Sequence, residues 1–173
     1  MISNERLLNV FELAHTEFYA EDVNKSQKSA SWKKYDRRKY NLENLVNFRE
    51  KGGLSSNCDD SNSLDLSFHA YANIVNLIGE DFILKNMDKQ NIGNAPSSVL
   101  YKKVYIDPNR LVIICMFHIL DRCLRTHKSI PKSFCEIGGG YGCLSDIIIS
   151  NFDAKLLSID LPEANILTAY YIK

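Results

Sequence analysis

The chain has no net charge. Its 21 basic and 21 acidic side chains cancel, so no overall field draws it to nucleic acid or to an anionic membrane surface. It also lacks a metal-binding pattern. The five cysteines, at positions 58, 115, 123, 135 and 143, form no CxxC pair, and the histidines at 15, 69, 118 and 127 add no ligand spacing beside them, so buried or idle thiols are expected rather than a zinc site. An odd cysteine count without an export signal points to a reducing compartment, and the first six residues, Met1 to Arg6, are charged and lack the apolar core of a leader. The longest apolar run, Leu111 to Leu120, contains His118 and is far shorter than a bilayer. These absences predict a cytoplasmic protein with no nucleic-acid partner and no membrane span.

What is present is enough apolar material for a core: 45% of the 173 residues are hydrophobic. From Ser3, Leu7, Phe11, Ala14 and Phe18 recur at steps of four, three and four and predict an amphipathic helix. A basic stretch around the single Trp32 follows, with Lys33, Lys34, Arg37, Arg38 and Lys39; it reads either as a phosphate contact or as a solvated helix face with Trp32 and Tyr35 packed inward. Leu42, Leu45 and Val46 suggest a short helix, and Gly52-Gly53 with residues 55–60 mark a loop. Leu64, Phe68, Tyr71, Val75 and Ile78 form the clearest helical stripe, with Gly79 as its stop. Residues 88–98 read as a loop. Asp107-Pro108 supplies an N-cap and a first-turn proline for a helix whose main stripe is Ile113, Phe117, Leu120 and Leu124. Val112, Ile114 and Met116 predict burial of that helix on more than one side, and His118 within it is expected to be a core or boundary histidine rather than a base.

After Pro131 the pattern changes. Ser133 to Ile137 reads as a strand, Gly138 to Gly142 as a glycine turn, Cys143 to Ser150 as a helix and Lys155 to Ile159 as a second strand ending on Asp160. The predicted fold class is α/β, with a helical N-terminal region over 1–128 and a strand–helix–strand unit over 129–173. A glycine turn between a strand and a helix N-terminus lets a ligand approach backbone amides. A dinucleotide fingerprint starting at Gly138 would require glycine or alanine at 143, where Cys143 stands, so a nicotinamide cofactor is disfavoured. Asp160 lies 22 residues beyond Gly138. A carboxylate there either accepts hydrogen bonds from ribose hydroxyls or caps the next helix, with Pro162 in its first turn.

Glu136-Ile137-Gly138-Gly139-Gly140-Tyr141-Gly142, with Leu157-Ser158-Ile159-Asp160-Leu161-Pro162-Glu163 and Ala169-Tyr170-Tyr171, resembles the first two motifs of class I S-adenosylmethionine-dependent methyltransferases. Within that class the chain is most similar to sugar O-methyltransferases associated with bacterial surface polysaccharides. Trp32, Asn47-Phe48-Arg49, Gly53-Leu54-Ser55, Ile92-Gly93-Asn94 and Pro96 extend the resemblance upstream. It implies that Gly138, Gly139, Gly140 and Gly142 admit S-adenosylmethionine against the backbone, that Glu136 holds its methionyl end, and that Asp160 takes the ribose hydroxyls. It also implies a sugar or polysaccharide precursor as acceptor.

A full domain of that class has about seven strands, and only two are readable here. The resemblance therefore implies the first part of an incomplete Rossmann-like sheet, with no catalytic base among the residues present. A bare sheet edge leads to self-association, to a partner chain that completes the sheet, or to support from the N-terminal helices. A different reading makes the chain a non-enzymatic remnant or interaction module whose glycine turn is only a tight connection. Arg37, Arg49 and Arg110 are expected to be surface or ion-paired arginines rather than acceptor contacts.

Overall fold

A computed structural model of the chain describes residues 42–49, 64–160 and 162–172. The predicted helix at 3–18, the basic stretch around Trp32 and Arg37, the loop at 52–60, His15 and Cys58 lie outside the described residues. Along the chain come α1 (Leu42–Val46), α2 (Leu64–Ile78), α3 (Glu80–Asn86), β1 (Val99–Tyr101), β2 (Val104–Ile106), α4 (Pro108–Thr126), β3 (Ser133–Ile137), α5 (Cys143–Asn151), β4 (Lys155–Ile159) and α6 (Pro162–Tyr171). The architecture is mixed α/β with two small sheets, β1 antiparallel to β2 and β3 parallel to β4. No helix among the described residues is long and apolar enough to cross a membrane.

Gly79 ends α2 as expected, but it also starts α3. Its φ of +88° sits where a side chain would strain the backbone, so the chain turns sharply and helix resumes at once. The Glu80 carboxylate then accepts from the Tyr71 hydroxyl at 3.0 Å, the Tyr101 hydroxyl at 3.2 Å and Lys102 Nζ at 2.7 Å. One carboxylate thereby pins α2, α3 and the hairpin together, while burial and the bond to Glu80 push the Tyr71 hydroxyl up to about 12.

The β1–β2 hairpin has no Asn-Gly or Asp-Gly to announce it. Its two-residue turn is Lys102-Lys103, both at positive φ, the twist that a tight hairpin demands. The Asp88 carbonyl accepts from the Tyr105 amide at 2.8 Å and carries the pairing one residue outward.

Helix α4 begins as predicted, with the Asp107 carboxylate accepting from the Asn109 amide at 3.0 Å. Leu111, Ile114 and Phe117 are wholly buried, with Ile113, Leu120 and Leu124 packed partly against the same core. Of the three residues that predict burial on more than one side, Ile114 is buried and the other two are not. Val112 and Met116 are 58% and 54% exposed, because α2, α3 and α5 pack around the other side of the helix. His118 presents an edge to Phe82, ring centroids 5.0 Å apart, and its buried Nδ1 has no hydrogen-bond partner among the described residues. It is thus a boundary histidine, though not a fully satisfied one.

The core is continuous through a run of aromatic rings. Phe82 of α3 stacks on Phe117 of α4 at 6.1 Å, Phe117 meets Phe152 after α5 at 5.7 Å, and Phe152 stacks on Phe134 of β3 at 5.5 Å. Such pairs add about 0.5–1.5 kcal/mol beyond the area they bury. Because Phe134 faces inward, the alternation of a strand sends Cys135 and Ile137 outward. Leu157 and Ile159 lie opposite them in register and are likewise exposed.

Two buried arginines tie the remaining elements. The Arg49 guanidinium donates through both terminal nitrogens to the two carboxylate oxygens of Asp107, both residues 2% exposed. Its backbone amide also donates to the Gly93 carbonyl at 2.9 Å. At Gly93 a Cβ would fall 2.4 Å from the Phe48 ring, so a side chain there would displace Phe48 from the core. Breaking a buried ion pair leaves an uncompensated charge and costs about 3–5 kcal/mol. Arg49→Met is accordingly expected to lower unfolding free energy by about that much in urea titrations, and Arg49→Met/Asp107→Asn to recover at least about 1 kcal/mol of it.

Candidate functional site

The site is assembled at the ends of the parallel pair. β3 and β4 pair in full register from Ser133 opposite Lys155 to Ile137 opposite Ile159, and the Gly138 amide extends the ladder to the Ile159 carbonyl at 2.9 Å. Residues 138–142 then turn into α5, and Asp160 follows β4 directly. The glycine turn and Asp160 are therefore side by side, as the spacing predicts: the Gly140 amide donates to Asp160 Oδ2 at 2.8 Å.

The glycines divide into two kinds. Gly138 and Gly140 have φ of +75° and +62°, and nothing lies within 4 Å of where a Cβ would stand. Their conformation excludes ordinary side chains while the space over them is open. Gly139 and Gly142 instead make room for the protein itself. A Cβ at Gly139 would sit 2.8 Å from the Glu136 carboxylate, and one at Gly142, φ +89°, would sit 2.7 Å from Thr168 Cγ2. Gly142 is the N-cap of α5 and makes no side-chain cap bond. The first-turn amides of a helix have no intrahelical acceptors, and the helix dipole adds partial positive charge there.

Glu136 points to the covered face of the sheet and curls under the turn. Ser145, wholly buried in the first turns of α5, donates its hydroxyl to Glu136 Oε2. Ser158, the cross-strand neighbour of Glu136, buries an Oγ that has no partner among the described residues. On the other flank Thr168 of α6 donates Oγ1 to the Gly140 carbonyl at 3.0 Å. Ser145 and Thr168 fix the glutamate and the turn, and no motif points to either. Their only trace in the sequence is a hydroxyl at an otherwise inward helix position.

Cys143, where a dinucleotide fingerprint would have a small residue, is buried beneath the turn. Burial pushes its thiol up to about 12, against the pull of Arg110. It packs beside Tyr141, whose ring meets Tyr171 at 4.9 Å and Phe48 at 5.5 Å. Arg110 joins this layer from α4. It donates to the Asn86 carbonyl at 2.6 Å, to Asp146 Oδ2 at 2.7 Å and to the Tyr171 hydroxyl, and it pairs with Asp88 at 3.1 Å. Tyr171 in turn donates to Asp88, whose carboxyl is raised by burial despite Arg110. Arg49 and Arg110 are thus ion-paired, as expected, and buried rather than on the surface.

A separate cavity of about 360 Å³ opens beside α3 and α5, lined by Lys85, Asp88, Lys89, Arg110, Asp146 and Ser150 among others. Its carboxylates and arginine already neutralise one another. No group of acidic, histidine or cysteine residues suited to a metal ion occurs among the described residues. No family model, curated protein or solved structure matches the chain.

Two measurements test this geometry. Gly142→Ala, which meets both positive φ and Thr168, is expected to cost about 2–3 kcal/mol in chemical denaturation, and Gly138→Ala, which meets only the backbone strain, about 1–2 kcal/mol. Under iodoacetamide at neutral pH, peptide mapping should find Cys135 alkylated and Cys143 unmodified. Equal labelling of the two would contradict the buried position of Cys143.

Proposed function

We propose that the chain carries the cofactor-binding part of an S-adenosylmethionine-dependent O-methyltransferase acting on a sugar hydroxyl, with the parallel pair as the beginning of a Rossmann-like sheet. The observation that carries this reading is the open space over Gly138 and Gly140, at the N-terminal end of α5 and against the Asp160 carboxylate. Those residues suit the group: the turn leaves room for backbone approach, Asp160 would take the ribose hydroxyls, and Glu136, oriented by Ser145, would accept from the methionyl ammonium. When bound, the cofactor supplies a sulfonium-activated methyl, an electrophile that needs no covalent help from the protein.

What the protein must add is alignment of a hydroxyl and removal of its proton. No described residue is assigned as that base. The acceptor, a cytoplasmic sugar or polysaccharide precursor, rests on the sequence resemblance. The uncovered face of Cys135, Ile137, Leu157 and Ile159 agrees with a larger layered sheet, since parallel strands are ordinarily covered on both faces.

One observation favours a second reading, in which the turn is a structural connection in a non-enzymatic interaction module. The Asp160 carboxylate is already bonded to Gly140, so turn and strand end stabilise each other without a ligand. Calorimetry separates the two. Saturable heat with S-adenosylmethionine is expected, lost in Asp160→Ala and weakened by about tenfold or more in Glu136→Gln, with none from NAD. Absence of heat at millimolar S-adenosylmethionine would leave the structural connection as the reading.

A further inference from the structure

No residue of the glycine turn lines the cavity beside α3 and α5, and its volume of about 360 Å³ is within the range that holds a small ligand. Three cations, Lys85, Lys89 and Arg110, line it together with two carboxylates, Asp88 and Asp146. Both carboxylates are bonded to Arg110. The lysines are what remains. Both are exposed; Lys85 donates to Asn151 Oδ1 at 2.8 Å, and the Lys89 ammonium has no partner among the described residues.

Two acceptors in the same lining are also unspent. Asp146 gives Arg110 only Oδ2, so Oδ1 has no described donor, and the Ser150 hydroxyl has no described partner either. The two residues stand four apart on α5 and therefore share a face of the helix. Met87 and Ile92 supply the apolar part of the wall.

We propose that this cavity binds a small hydroxylated phosphate monoester, its phosphate held by Lys85 and Lys89 and its hydroxyls donating to Asp146 and Ser150. A phosphate monoester carries about −1.5 to −2 charges at pH 7, which two ammonium groups match. The hydroxyls supply the donor that Asp146 Oδ1 lacks, and the short carbon skeleton lies against Met87 and Ile92. Bare phosphate uses the lysines alone, and an uncharged polyol uses the acceptors alone. The monoester engages both. This inference is independent of the methyltransferase reading, since no residue of the glycine turn takes part.

Calorimetry of the full chain with sn-glycerol 3-phosphate at low ionic strength tests it. Saturable heat is expected, with inorganic phosphate and glycerol each binding about tenfold or more weaker. Lys89→Ala should weaken binding about tenfold and Ser150→Ala about threefold or more. Both alter exposed side chains without described partners, so their urea midpoints should match that of the unaltered chain. Lys132→Ala, at an exposed lysine outside the cavity, and Asp160→Ala should leave binding unchanged. Absence of saturable heat at millimolar glycerol phosphate would overturn the proposal. So would inorganic phosphate binding as tightly as the monoester, which would mark an adventitious ion only. Equal losses in Lys89→Ala and Lys132→Ala would also overturn it, by assigning the heat to general surface charge.

Discussion

The structure depends on how Arg110 is neutralised. Its guanidinium is almost wholly buried where α3, α4, α5 and α6 converge: α4 carries the arginine, α3 gives the Asn86 carbonyl, α5 Asp146 and α6 Tyr171, with Asp88 from just beyond α3. A charge in that position is tolerable only when its donors are matched. The four elements cannot shift independently, because displacing any one leaves a buried ionic group without its counterpart. This gives the packing a specificity that aliphatic contacts alone would not impose.

The same layer supports the glycine turn from below. Cys143 and Tyr141 lie on the Arg49–Arg110 stratum, and Thr168 and Asp160 hold the turn from the α6 and β4 sides. The turn is therefore clamped at its carbonyl, at its amide and at its helix end, while the space over Gly138 and Gly140 stays open. A backbone surface of this sort is preorganised: a ligand entering it would not have to order the loop first.

Among the described residues, the long helices and the strand–helix–strand unit are legible in sequence, and the β1–β2 hairpin is not. Both parallel strands occur where the sequence reading puts them, and the glycine turn meets Asp160 because a strand–helix–strand unit of ordinary lengths leaves little choice. Asp107-Pro108 likewise marks the start of α4 correctly. The hairpin escapes detection because Lys102-Lys103 supplies the positive φ values normally left to glycine or asparagine. The doubled role of Gly79, as both stop and start, is invisible to a rule that reads glycine as an end. Ser145 and Thr168 are hidden for a different reason: their partners are set by how α5 and α6 lie on the sheet, which periodicity does not encode. The mixed α/β class is read correctly, and of the residues that predict burial of α4 on more than one side, Ile114 is buried while Val112 and Met116 are not.

Tyr171 stands 61 positions after Arg110 and 83 after Asp88. The bond that closes the buried network thus joins parts of the chain made at very different moments. At ribosomal speeds of about 5–20 residues per second, Asp88 waits roughly 4–17 s for its tyrosine. During that interval α3 and α4 hold a charged group whose partners have not yet all been synthesised. Their apolar faces can collapse early, but the ionic layer can be completed only once α6 is available, so the final locking of the fold is a late, long-range event rather than a local one.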